Sequence, residues 1–173
     1  MIEDPARCKF VPAALDGVHS AACGAITRAD IEVIRKIWEG PRRRDGSFLW
    51  YGLPRGADFG GLSRTGGSPP MGQPMGITLD WWRYFLTQNP KWDWTTITPA
   101  LFEQMWDQSV EEFGAAIGTD NPDLTGFRER GGKLLLWHGW ADPVIFPEGT
   151  IDYYMRVRER MGAGAAEFVR LFK

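Results

Sequence analysis

The sequence predicts an α/β fold in which a helical, loop-rich portion (residues 1–125) precedes an incomplete strand–helix–strand piece of a parallel sheet (residues 126–173). Three observations predict it. The stretch 133–137, built on the apolar run Leu134-Leu135-Leu136, has the length of a buried strand and runs straight into the turn His138-Gly139-Trp140-Ala141-Asp142. Pro147-Glu148-Gly149-Thr150 opens a helix that reaches about Arg160, and Met161-Gly162 stops it. The stretch 167–172 then returns as a second strand. Strand, crossover helix and strand in succession imply parallel pairing. Two strands do not make a stable sheet, so this one is expected to be completed by missing core segments or by self-association.

The first portion is read element by element. Residues 1–26 show no period and are taken as irregular. Thr27-Arg28-Ala29-Asp30 has the form of a capping box, with Asp in place of Glu. Ile31, Ile34, Ile37 and Trp38 follow at helical spacing, and Gly40-Pro41 ends the helix. After the Asp45-Gly46 turn, residues 48–51 are expected to form a short strand. Residues 52–76 are rich in glycine and proline, and so long a loop in a compact domain is usually functional or mobile. Residues 79–88, with Trp81 and Trp82, form a short aromatic helix ended by Asn89-Pro90. Thr98-Pro99 starts another, in which Phe102, Trp106, Val110, Phe113 and Ile117 recur at steps of three or four.

Composition narrows the function. A net charge of −2 gives no electrostatic case for nucleic acid or an anionic membrane. The one basic cluster, Arg42-Arg43-Arg44, lies between turn signals and is read as solvated. No apolar run approaches the ~18–20 residues of a membrane span, and the acidic N-terminus lacks a signal-peptide core. The protein is therefore cytosolic, or its targeting segment lies outside this sequence. Cys8 and Cys23 are too few for a disulfide scaffold; they either pair across a short loop or both stay free. There is no Cys-x-x-Cys, no His-Glu-x-x-His and no complete acidic calcium loop, so no metal site is expected. Nine tryptophans beside 21 glycines place bulky rings on irregular backbone. Such rings either face a ligand or fill the core between irregular segments.

Asp142 is the candidate catalytic residue. The acid of a Ser-His-Asp triad sits at the carboxyl end of a strand and orients a histidine through its ring N–H. The competing reading is an Asx turn that caps the next segment. His138 lies on the same turn and is not taken as the base, and neither is His19. No nucleophile is found. None of Ser20, Ser47, Ser63, Ser68 and Ser109 sits in Gly-x-Ser-x-Gly, the strained turn that exposes such a serine.

The chain resembles the tannase and feruloyl esterase family of secreted serine esterases along nearly its whole length. The resemblance is carried by Asp4-Pro5-x-x-Cys8-x-Phe10-x-Pro12-Ala13, by Ile34 to Arg42, by Leu49-Trp50-Tyr51-Gly52-Leu53, by Gly131 to Asp142, and by Thr150-Ile151-Asp152-Tyr153-Tyr154. It implies a partial α/β-hydrolase fold in which residues 1–125 belong to a lid and residues 126–173 to the catalytic core. It further implies a carboxylic ester hydrolase acting on phenolic esters, with Asp142 as triad acid and the serine and histidine outside this chain. Val144 and Ile145 fall where the family lines its aromatic-acyl pocket, and Trp81, Trp82 and the 52–76 loop are expected lid contacts. The family's calcium loop would lie upstream, with Ile2 alone matching a ligand position. The family partner of Cys8 also lies upstream, and a cysteine the family often has near Asp16-Gly17, pairing near Cys23, is missing. The parent would be secreted or periplasmic. The chain by itself is expected to be inactive, the alternatives being a stand-alone aromatic-rich binding module or one subunit of a split enzyme.

Overall fold

The computed structural model describes residues 7–21, 24–62 and 64–173. Cys23, Ser63, Ile2 and the Asp4-Pro5 segment lie outside them. Pro12–Leu15 form a single 3₁₀ turn, and a minimal antiparallel pair, β1 (His19–Ser20) and β2 (Gly24–Ala25), follows where no period was legible.

Helix α1 (Arg28–Glu39) begins at the expected capping box. Thr27 Oγ1 accepts from the Asp30 amide at 3.3 Å, and the Asp30 carboxylate accepts from the Thr27 amide at 2.8 Å. Each satisfies a donor that the first helical turn leaves without a partner. The helix stops at Gly40, whose φ of 74° suits glycine.

The expected strand at 48–51 is not formed; Phe48 makes one isolated bridge to Arg42. The reason lies in the backbone donors. The amides of Leu49 and Trp50 both point to the Pro41 carbonyl, and that of Leu53 reaches Ile37 at the end of α1. Helix end and returning chain cross so closely that neither tolerates a side chain. A Cβ on Gly52 would stand 2.4 Å from the Trp38 carbonyl oxygen, and one on Gly40 would stand 2.4 Å from the Tyr51 carbonyl carbon. Gly52→Ala is therefore expected to destabilise the protein by ~1–3 kcal/mol or more, since backbone rather than a movable side chain must give way. Urea denaturation measures this; an unchanged midpoint would contradict the crossing.

The long 52–76 loop contains a hairpin, β3 (Arg64–Gly66) and β4 (Met71–Gln73), with Thr65 opposite Gly72. Most of its residues are exposed, so it carries no alternation of apolar and polar residues by which to recognise it. The aromatic helix starts as α2 (Gly76–Asp80) and widens into a π-helical segment, Trp81–Leu86, whose exit bond runs from the Thr87 amide to the Trp82 carbonyl. Helix α3 (Pro99–Ile117) is capped by Thr98, whose hydroxyl accepts from Leu101. The basic cluster is tied to α3 rather than simply solvated. Both terminal nitrogens of Arg43 bond the Asp107 carboxylate, at 2.9 and 2.6 Å, and Arg44 lies beside Glu103.

The C-terminal elements are α4 (Thr125–Glu129), β5 (Leu134–Trp137), α5 (Pro147–Met161) and β6 (Val169–Phe172). Strands β5 and β6 pair in parallel, Leu134 with Val169 through Trp137 with Phe172. Val157, Phe168 and Val169 form the buried centre, with Phe127, Leu134, Leu136 and Tyr153 packed around it. β5 is half-buried rather than buried. Leu134 and Leu136 face the core, while Leu135 and Trp137 are 68% and 81% exposed. Side chains alternate across a strand, and this core packs against one face of the pair. None of the helices among the described residues is long and apolar enough to cross a membrane.

Candidate functional site

The turn between β5 and α5 presents Asp142. The strand ends at Trp137, and the His138 amide continues the ladder to the Phe172 carbonyl. Asp142 Oδ1 accepts from the Val144 and Ile145 amides, each at 2.9 Å. This is the Asx-type geometry foreseen as the competing reading, and it uses one carboxylate oxygen only. Oδ2 lies 3.4 Å from His138 Nε2, too long and poorly aligned to be the main bond of that ring. Burial works to raise the Asp142 pKa, but the two amides and His138 outweigh it and hold the carboxyl below its usual value.

His138 is locked. Its Nε2 lies 2.8 Å from the Ile145 carbonyl, which can only accept, so Nε2 carries the hydrogen. In the neutral ring Nδ1 then accepts from the Thr150 hydroxyl at 2.7 Å. With both nitrogens engaged, the ring clamps residue 145 and the first turn of α5 around Asp142. Thr150 could not be recognised as the clamp partner from sequence, because nothing in a helix-start motif reveals which ring sits above it. His19 lies in β1 opposite Ala25, and Ser109 accepts from the Trp81 indole at 3.0 Å.

Val144 and Ile145 flank the carboxylate with exposed side chains, 41% and 67% accessible. The tryptophans lie elsewhere. Trp81 stacks on Phe85 at 4.6 Å and meets Phe113 edge-on at 5.0 Å, joining the aromatic segment to α3. Trp82 lies between Trp92 and Phe102, at 5.6 and 5.7 Å. The structure thus brings together Asp142, Val144 and Ile145 and places Trp81 and Trp82 in two different ring clusters. The first portion reaches the acid turn at two close approaches. A Cβ on Gly61 would stand 2.9 Å from the Pro143 carbonyl oxygen, and one on Gly149 would stand 2.8 Å from the Trp50 ring.

Glu148 sits in the first turn of α5 behind the acid. Its Oε2 is buried without a hydrogen-bond partner among the described residues. Burial raises its pKa, with its own backbone amide and His138 opposing. The native state therefore binds this proton more tightly than the unfolded chain. Stability from this group falls as pH rises from the unfolded pKa through the folded one, so the penalty lies on the neutral side of the unfolded value. Glu148→Gln is expected to raise the melting temperature at pH 7, with the gain fading as pH falls toward about 4. A gain that is the same at pH 4 and pH 7 would refute the titration argument.

Among the described residues no group of three or more His, Cys, Asp or Glu side chains could hold a metal ion. Cys8 has a free thiol.

A family model described as tannase and feruloyl esterase matches residues 1–173. A probable feruloyl esterase of Arthroderma benhamiae is 39% identical over 174 residues, which cover 95% of this chain and 32% of that protein. A probable feruloyl esterase B-1 of Aspergillus oryzae is 29% identical over 181 residues, 99% of this chain and 32% of that protein. The crystal structure of feruloyl esterase B from Aspergillus oryzae superposes with a TM-score of 0.79 at 29% identity, covering 98% of this chain and 33% of that one. Tannin acyl hydrolase from Aspergillus niger gives a TM-score of 0.78 over 94% of this chain and 34% of that one; at 21% identity this is a likeness of fold alone. The chain thus spans 32% of the length of these curated relatives. The strand–helix–strand unit and the segments before it form part of an α/β-hydrolase fold. With the whole chain matched by the family model, the chain belongs to the tannase and feruloyl esterase family.

Proposed function

We propose that this chain is the acid-bearing part of a carboxylic ester hydrolase that cleaves phenolic (feruloyl- or galloyl-type) esters through an acyl-enzyme. The observation that carries the proposal is the division of labour within the Asp142 carboxylate. Oδ1 is held by two backbone amides, and Oδ2 is left to accept a ring N–H from a histidine on another segment. Residues 1–125 act as lid and residues 126–173 as core. Val144 and Ile145 line the acyl pocket beside the acid, while Trp82 contacts ligand from the lid and Trp81 supports it from behind. The parent enzyme is exported to the periplasm or medium. Its calcium loop and catalytic serine and histidine lie on other segments, so the isolated chain does not turn over ester.

The test is complementation. The chain is coexpressed with the matching remainder of a relative and assayed on ethyl ferulate. Activity only in the combination, lost in Asp142→Ala, is the expected result. Turnover by the isolated chain that Asp142→Ala abolishes would overturn the inactivity, and full activity of Asp142→Ala in the combination would overturn the acid role.

A further inference from the structure

A cavity of about 480 Å³ opens between α1, the β3–β4 hairpin and the aromatic segment. Ile37 forms one side, Leu62 and Leu79 the next, and the rings of Trp82, Trp92 and Phe102 another. The rings form a column. Trp92 and Trp82 are inclined by 28°, and Trp82 and Phe102 by 27°. Packed protein interiors leave few voids larger than a water molecule, and small-molecule sites typically begin at about 300 Å³. This space has the size of a ligand site.

The walls select the ligand. The one charged group among them, Arg64, donates through Nε to the Gly60 carbonyl at 2.6 Å. A carboxylate or phosphate would meet a single exposed guanidinium, with one nitrogen already bonded, against walls that are otherwise mostly apolar. A sugar would bury several hydroxyls against mostly apolar walls, where Thr65, Gln73 and Thr78 replace few of the hydrogen bonds lost to water. A planar uncharged ring with few polar substituents loses far fewer and gains ring–ring contact with the aromatic wall. The cavity wall also lies close to the acid turn along the chain, because its residue Leu62 follows Gly61, where a Cβ would stand 2.9 Å from the Pro143 carbonyl oxygen.

We propose that this cavity binds one uncharged aromatic ring, with Trp82, Trp92 and Phe102 as its recognition residues, at a site separate from Val144 and Ile145. The site gives the family's phenolic esters a second ring contact on the lid side of the acid. The proposal rests on the esterase reading for the choice of probe and for Trp82 as a ligand contact, but not for the triad role of Asp142. Binding is measured on this chain without turnover, so failure of one leaves the other standing.

The experiment titrates methyl ferulate into the 173-residue chain by calorimetry, with L-arabinose as the comparison. One saturable site for methyl ferulate and none for arabinose is expected. Trp92→Ala should weaken binding roughly tenfold or more, and Met155→Ala, at an exposed position on α5 outside the cavity walls, should leave it unchanged. Gly72 lines the cavity, and a Cβ there meets no atom within 4 Å. Gly72→Leu therefore adds bulk without removing a packing contact, and it decides the question should Trp92→Ala fail to fold. No binding, binding of arabinose alone, affinity unchanged in Gly72→Leu, or loss in Met155→Ala would each overturn the proposal.

Discussion

Asp142→Asn is expected to lower kcat of the complemented enzyme on ethyl ferulate by about 10⁴-fold, the scale seen when a triad acid becomes an amide. Asparagine separates the two functions of this residue. Its carbonyl can still accept from the Val144 and Ile145 amides, so the turn survives. Its NH₂, placed where Oδ2 stands, donates and cannot accept a histidine ring N–H. The histidine is then left in the wrong tautomer. Asp142→Ala loses the turn as well and should also be less stable. The carboxyl is held below its usual pKa, so the stability it contributes is present above the unfolded value and is lost as pH falls through the lower folded value. An acid limb near neutral pH would thus belong to the histidine and not to Asp142. A kcat for Asp142→Asn within tenfold of the parent would end the triad assignment, whatever Asp142→Ala did.

Phe168→Ala is expected to cost about 3–5 kcal/mol, the range for emptying a buried aromatic site. Phe168 is 4% exposed in the centre shared with Val157 and Val169. Its ring lies 6.5 Å from that of Phe127, with the Arg128 guanidinium 5.7 Å from its centroid. Its carbonyl accepts from the Leu134 amide at 2.7 Å, the bond at which β5 and β6 begin to pair. A small domain has ~5–15 kcal/mol in total, so this loss should separate the strand pair from α5 at ambient temperature. Far-UV circular dichroism during urea denaturation reads the change. A midpoint equal to the parent's would mean that this cluster is not the core of the C-terminal unit.

Several elements could be read from local chemistry because their causes are local. Thr27 and Asp30 face each other over one helical turn, and Thr98 caps α3 through its own third neighbour. The parallel pairing of β5 and β6 followed from a helix-length crossover between two apolar runs. The misread elements have non-local causes. Residues 48–51 have strand-forming side chains, but their amides go to a helix end that arrives from elsewhere in the chain. The β3–β4 hairpin is exposed and so leaves no hydrophobic period.

The site divides in the same way. Sequence alone determined that an aspartate follows a strand on a glycine turn beside Val144 and Ile145, because strand, turn and helix signals are contiguous. Only tertiary structure decided which oxygen of Asp142 is held and which is left, that His138 is a clamp closed by Thr150, and that Trp82 joins Trp92 and Phe102 around a cavity while Trp81 does not. The physical reason is range. Caps, periods and turns are set within a few residues, whereas hydrogen-bond partners, burial and ring stacking depend on groups that only the folded chain brings together.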